Sequence, residues 1–245
     1  MEAGLPNSHA QNVHAPRVVL VSCAELGGSP TTPDEVRVWV IPLDNPPANE
    51  VELRECLTDE EQERADRYKI AKPRHQFVTG RGLVRQILGN CLGIGPRDVP
   101  ITYTGAGKPI LASGGLHFNV THTDAIALIA LANSPVGVDV EQVRKLANPA
   151  GLVERFFSVA ECAAYRKLAP EWQMRGFFRA WTCKEAIIKT MGMSVTTLSE
   201  FDVELDPERP PVLLAARHPE LVAKRLTLSA WEPATGFAGA VALLS

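Results

Sequence analysis

The chain has 245 residues, 45% of them hydrophobic and 22% charged, and a net charge of −3. That length supports one large domain or two of modest size around a substantial core. The acidic balance argues against bulk nucleic-acid binding, which favours a basic face, and no apolar run approaches the ~18 residues of a membrane span; neither nucleic acid nor membrane is an expected partner.

The first seventeen residues are polar, carry Pro6, His9, His14 and Pro16, and lack the apolar core of a signal peptide, so they read as a flexible leader. The five cysteines, Cys23, Cys56, Cys91, Cys162 and Cys183, are scattered and contain no C-x-x-C pair. They fit reduced, partly buried thiols of a cytosolic protein rather than a zinc or redox site. Val18–Ser22 and Val36–Ile41 read as strands separated by a Gly/Ser/Pro/Thr loop. Thr58-Asp-Glu-Glu61 is a capping box that opens a charged helix towards Lys69. Pro73 separates it from a second helix over roughly 74–92, with Phe77, Leu83, Val84, Ile87 and Leu88 as its buried stripe.

A loop around Gly105–Pro109, a strand at Leu116–Val120 and an apolar strand at Ala125–Leu131 follow, and Asn133-Ser-Pro135 breaks the chain. Gly137-Val-Asp-Val-Glu141 is a short strand. Ser158-Val-Ala-Glu161 is a second capping box, opening a helix to about Leu168. Pro170 starts a long helix that Gly192 ends, and Phe201–Leu205, Leu226–Trp231 and Phe237–Leu244 are closing strands. Both halves read strand, helices, strands, with a seam near residue 135. The fold class from pattern alone is α+β.

Two segments carry chemistry. Side chains alternate along a strand, so Asp139 and Glu141 project from one face. Two acids there repel unless a cation bridges them. In Trp181-Thr-Cys-Lys-Glu-Ala-Ile-Ile-Lys189, Trp181, Glu185 and Lys189 stand four apart on one helix face. Alone, Glu185 and Lys189 would be an ordinary surface pair, but Phe177, Phe178, Ile187 and Ile188 indicate that the stretch is buried, and a buried carboxylate needs a partner. Three hard oxygen ligands suit Mg²⁺, which keeps several waters and completes its shell with substrate phosphate. Lys189 would neutralise further phosphate charge. The pattern points to a phosphate-handling enzyme. Cys183, between these residues, reads as a packing residue.

At these motifs the chain resembles the 4′-phosphopantetheinyl transferases of the surfactin-synthetase-activating type. They carry a G-[IV]-D-[IVL]-E strand and, some forty residues on, W-x-x-K-E-[AS]-x-x-K. Both are complete here, and the likeness extends through Thr58–Arg64, Gly80–Arg85, Gly107-Lys-Pro109, Phe118-Asn-Val-Thr-His122 and Arg155-Phe-Phe-Ser158, from about residue 57 to 192.

The resemblance implies two similar α/β lobes related by a pseudo-twofold, 18–135 and 136–245, with coenzyme A in the cleft between them. It implies transfer of 4′-phosphopantetheine to a serine of an acyl or peptidyl carrier protein by a monomer. It assigns Mg²⁺ to Asp139, Glu141 and Glu185, and coenzyme phosphate contacts to His122, Thr121 and Lys189. Lys108 would lie over the nucleotide end, Lys184 would give electrostatic help, and Arg64 would meet the 3′-phosphate. Thr121 replaces a usual serine, and Glu61 stands where a further cation is usual, with Lys69 or Lys72 as compensation. The serine proton would go to Glu185 or a metal-bound water. Leu146, Leu152, Val153 and Phe156 would receive a carrier helix or belong to the core. Two rival readings are a Mg²⁺-dependent nuclease, which the acidic charge disfavours, and a non-catalytic coenzyme A-binding protein, which the intact carboxylate and lysine positions disfavour.

Overall fold

The computed structural model describes residues 15–22, 24–105 and 107–244. The expected leader lies outside the described residues up to residue 14, and its last residue, Arg17, already begins a strand. Among the described residues the chain runs β1 (Arg17–Val21), β2 (Glu35–Pro42), α1 (Glu50–Glu55), α2 (Asp59–Asp66), α3 (Ala71–Leu92), β3 (Ile101–Tyr103), β4 (Pro109–Leu111), β5 (His117–His122), β6 (Ile126–Ala132) and β7 (Val136–Gln142). It continues through α4 (Pro149–Phe156), α5 (Val159–Lys167), α6 (Pro170–Met191), β8 (Phe201–Val203), β9 (Leu213–Ala216), α7 (Pro219–Val222), β10 (Leu226–Trp231) and β11 (Phe237–Leu244). The class is α+β, as expected.

Two sheets dominate, one ordered β1-β2-β6-β5 and one ordered β10-β11-β7. They pack face to face through Val36, Val38, Leu128, Ala130, Val138 and Val241. The alternate residues of the same strands face outward. Trp39, Ile41 and Leu131 meet Val78, Leu83 and Ile87 of α3, while Ala240 and Ala242 meet Ala186 and Ile187 of α6. The result is a helix–sheet–sheet–helix stack in which α3 and α6, 22 residues each, cover the two outer faces. Strand alternation alone creates the three apolar layers.

Local chemistry fixes the helix ends. Both capping boxes form, with Thr58 and Ser158 each accepting from the backbone N–H three residues on. Pro170 opens α6, and Gly192, at φ 71°, closes it in the left-handed region that glycine adopts without strain. Pro73 does not separate two helices. It lies in the first turn of α3, where the N–H it lacks has no intrahelical partner anyway. The loop expected around Gly105–Pro109 is the turn of a small hairpin, β3–β4. Leu152, Val153 and Phe156 form one face of α4 and, with Leu146, join the core under α6.

Candidate active site

Gly137, Asp139 and Glu141 all point from β7 towards α6, because Val136, Val138 and Val140 take the opposite face into the inter-sheet core. The approach is close at Gly137, where a Cβ would stand 2.1 Å from the Ala186 carbonyl oxygen and 2.5 Å from the Thr190 nitrogen. Glycine there lets the last turns of α6 lie directly on β7. Glu185 and Lys189 are thereby brought over the strand carboxylates, as the motif spacing anticipated.

Lys189 is the hub. Its Nζ donates to Asp139 Oδ1 at 2.6 Å and to the Thr121 hydroxyl at 3.2 Å, and the Thr121 hydroxyl in turn donates to Asp139 Oδ1 at 3.1 Å. Asp139 is 4% exposed, and its other oxygen, Oδ2, is buried with no hydrogen-bond partner. Burial, reinforced by Asp139, pushes the Glu141 carboxyl above its ordinary range, against the pull of Lys189 and Arg144. Burial, then Asp139, does the same to Glu185. Three carboxylates thus share one ammonium, and a buried carboxylate oxygen lacks any donor. Hard oxygens short of positive charge are the donor set that Mg²⁺ takes. Among the described residues no three His, Cys, Asp or Glu side chains close into a ready-made metal cage. The donor chemistry fits the ion, though the three carboxylates do not form a preformed ligand set.

A cavity of about 310 Å³ is lined by Arg64, Tyr68, Phe77, Arg81 and His122, among others. Arg64 sits over the Phe77 ring at 5.0 Å, so its guanidinium is held at the rim. Thr121 and His122 are consecutive on β5. The first reaches the carboxylate cluster and the second, on the opposite face of this edge strand, lines the cavity. Sequence reading placed Arg64 and His122 in one site, and the cavity brings them together. Tyr68 and Arg81 carry no distinguishing spacing, and Phe77, expected in the buried stripe of α3, is half-buried and lines the cavity.

Glu61, the acid at a position expected to be basic, is not free to repel an anion. Its carboxylate caps α2 and pairs with Arg85 at 2.5 Å and Arg81 at 3.5 Å. Arg85 is itself spent there and on the carbonyls of Pro96 and Val99. Lys72 pairs with Asp124 at 3.2 Å.

Two lysines have their ammonium groups bonded within the protein. Lys184 is fully buried, with Nζ 2.7 and 2.8 Å from the two Glu161 oxygens and 2.5 Å from the Phe201 carbonyl. It lies about 100° round α6 from Glu185 and faces the core. The Lys108 ammonium is tied to the carbonyls of Lys189, at 2.5 Å, and Val136, at 3.3 Å. Cys183 is buried, and burial pushes its thiol up to about 12, which leaves a packing residue. Trp181 packs between Phe156 and Phe177.

Comparison with known proteins gives the chain a family. Residues 45–134 match the family described as 4′-phosphopantetheinyl transferase, N-terminal, and residues 135–242 match the 4′-phosphopantetheinyl transferase superfamily. The 4′-phosphopantetheinyl transferase HetI of Nostoc sp. strain PCC 7120 is 39% identical over 188 residues, 75% of this chain and 79% of HetI. The transferase Sfp of Bacillus subtilis strain 168 is 25% identical over 174 residues, 69% of this chain and 77% of Sfp. A holo-(acyl-carrier-protein) synthase of Bacillus anthracis, solved with CoA (3′,5′-ADP), aligns at 18% identity and TM-score 0.37 over 45% of this chain and 95% of its own. With two family models that together run from residue 45 to 242, and with identity to HetI spread over most of both proteins, the chain belongs to the 4′-phosphopantetheinyl transferase superfamily.

Proposed function

We propose that this chain transfers 4′-phosphopantetheine from coenzyme A to a serine hydroxyl of an acyl or peptidyl carrier protein, releasing adenosine 3′,5′-bisphosphate. One observation carries the reading. The carboxylate–lysine cluster and the arginine-rimmed cavity flank one edge strand, β5, which presents Thr121 to the first and His122, from its opposite face, to the second. Family membership supports it independently. A pyrophosphate lying across that strand would have its nucleotide end beside Arg64 and His122 and its reacting phosphorus beside Lys189.

The residues divide the work by charge. Arg64 and His122 hold the coenzyme through its phosphates. Lys189, fixed by Asp139 and Thr121, faces the charge that grows on the leaving oxygen as the nucleotide P–O bond breaks. The serine proton goes to Glu185, the carboxylate that α6 carries one turn before Lys189. Mg²⁺, held by Asp139, Glu141 and Glu185, would supply Lewis-acid stabilisation of the pyrophosphate when bound. Residues 18–135 and 136–245 are read as two lobes meeting where β5 side chains touch β7. No helix among the described residues is long and apolar enough to cross a membrane, and we take the chain to act as a cytosolic monomer.

Incubation with coenzyme A, Mg²⁺ and apo carriers from fatty-acid, polyketide and peptide synthesis tests the reading by mass spectrometry. One phosphopantetheine on the carrier serine supports it. No mass increase on any carrier overturns it.

A further inference from the structure

β7 is the edge strand of its sheet, so the backbone groups on its outer side have no neighbouring strand to bond. Side chains satisfy three of them instead. The Val136 carbonyl accepts from Lys108 Nζ at 3.3 Å, the Val138 N–H donates to Asn119 Oδ1 at 2.9 Å, and the Val138 carbonyl accepts from Lys189 Nζ at 3.4 Å. Lys108 and Asn119 come from the other half of the chain. A buried peptide group left unpaired is costly, so these contacts hold the edge in place within three residues of Asp139.

Lys108 does a second thing. The Lys189 carbonyl lies in the last turn of α6, where carbonyls lose their intrahelical donors. The N–H that would serve it, that of Met193, bonds Ile188 instead, because Gly192 turns the chain. The Lys108 ammonium takes its place at 2.5 Å. Gly107, at φ 81°, and the Thr104 hydroxyl, which accepts from the Lys108 N–H at 3.1 Å, shape the β3–β4 turn that presents this lysine. One ammonium therefore grips β7 beside Gly137 and, on α6, the backbone of the residue whose own ammonium holds Asp139. With Lys108 largely withdrawn from water, burial lowers it to about 8. An ammonium committed to two carbonyls inside the protein is poorly placed to serve as a coenzyme's counter-ion.

We infer that Lys108 is a positioning residue, which clamps β7 to the C-terminal turn of α6 and sets Lys189 against Asp139, rather than a ligand of the coenzyme nucleotide. The inference rests on the transferase reading and reassigns one residue within it.

The test is Lys108→Met, Lys108→Gln and Lys108→Arg, with kcat and KM for coenzyme A measured in carrier transfer, and coenzyme A affinity measured by calorimetry without carrier. Positioning predicts that Lys108→Met lowers kcat by about tenfold to a hundredfold, the scale of a small misplacement of a reacting group, with KM and affinity within about twofold. Lys108→Arg, which keeps charge and donors, should recover most of kcat. Lys108→Gln, which keeps a neutral donor, should recover part of it with normal affinity; it also serves if Lys108→Met fails to fold. A tenfold loss of affinity in Lys108→Gln with kcat retained would restore the nucleotide contact and overturn the inference. So would wild-type kcat and KM in Lys108→Met. If the wild-type protein transfers nothing, the transferase reading falls and this inference with it, whereas normal wild-type turnover with an affinity defect removes the inference alone.

Discussion

Lys184→Met should destabilise the protein while leaving its coenzyme site intact. Lys184 and Glu161 are 0% and 1% exposed, and the ammonium bonds both carboxylate oxygens and the Phe201 carbonyl. Burial draws the lysine down and pushes the glutamate up, and each opposes the other's shift by its charge. Methionine fills the volume but strands the carboxylate, which keeps only the N–H groups of Ser158 and Val203. Removing one member of such a pair costs about 3–5 kcal/mol. At ~2–4 °C per kcal/mol for a chain of this size, Tm should fall by roughly 6–20 °C. Adding Glu161→Gln removes the stranded charge and should return part of the loss. Scanning calorimetry gives the Tm values, and titration below the transition gives coenzyme A affinity, which should match wild type. A Tm within about 2 °C of wild type, together with weakened coenzyme binding, would refute the structural role and return Lys184 to the coenzyme site.

Three further outcomes follow from the same geometry. Asp139→Ala and Glu185→Ala should each abolish transfer in a folded protein, and chelation with EDTA should reproduce the loss reversibly; full activity in either folded variant would show the ligand assignment to be wrong. Arg64→Ala should weaken coenzyme A binding about ten- to a hundredfold, the loss of one charge-assisted hydrogen bond, and hardly affect dephospho-coenzyme A. Equal weakening in calorimetry would transfer the 3′-phosphate to Arg81, the other arginine lining that cavity. Gly137→Ala would put a methyl 2.1 Å from the Ala186 carbonyl, and should cost about 3 kcal/mol or more by forcing α6 off β7; an unchanged denaturation midpoint would contradict the close approach.

The parts of this site that could be read in advance are those set by local periodicity. Alternation alone put Asp139 and Glu141 on one face, and the four-residue spacing put Glu185 and Lys189 on another, so their meeting needed only α6 to lie on β7. Both capping boxes were readable for the same reason, since a cap and its partner are three residues apart. What escaped depends on distance along the chain. Glu161 was visible as a cap, but not as the partner of Lys184, 23 residues later. Lys108 reaches a carbonyl 81 residues away, and Asn119 an edge N–H 19 residues away. The short helix α1 escaped because its six residues, Glu50–Glu55, rest on the Asn49 cap and on Leu53 packing against α3, with no periodic run to announce them.

The most direct measurement is the intact mass of an apo carrier protein after incubation with coenzyme A and the wild-type chain, with Mg²⁺ and with EDTA, alongside Asp139→Ala. Addition of one phosphopantetheine with Mg²⁺, lost with EDTA and in Asp139→Ala, is the predicted result. An unmodified carrier under every condition, from a protein that nonetheless binds coenzyme A in calorimetry, would mean that the cavity and carboxylate cluster bind without transferring, and would contradict the transferase reading.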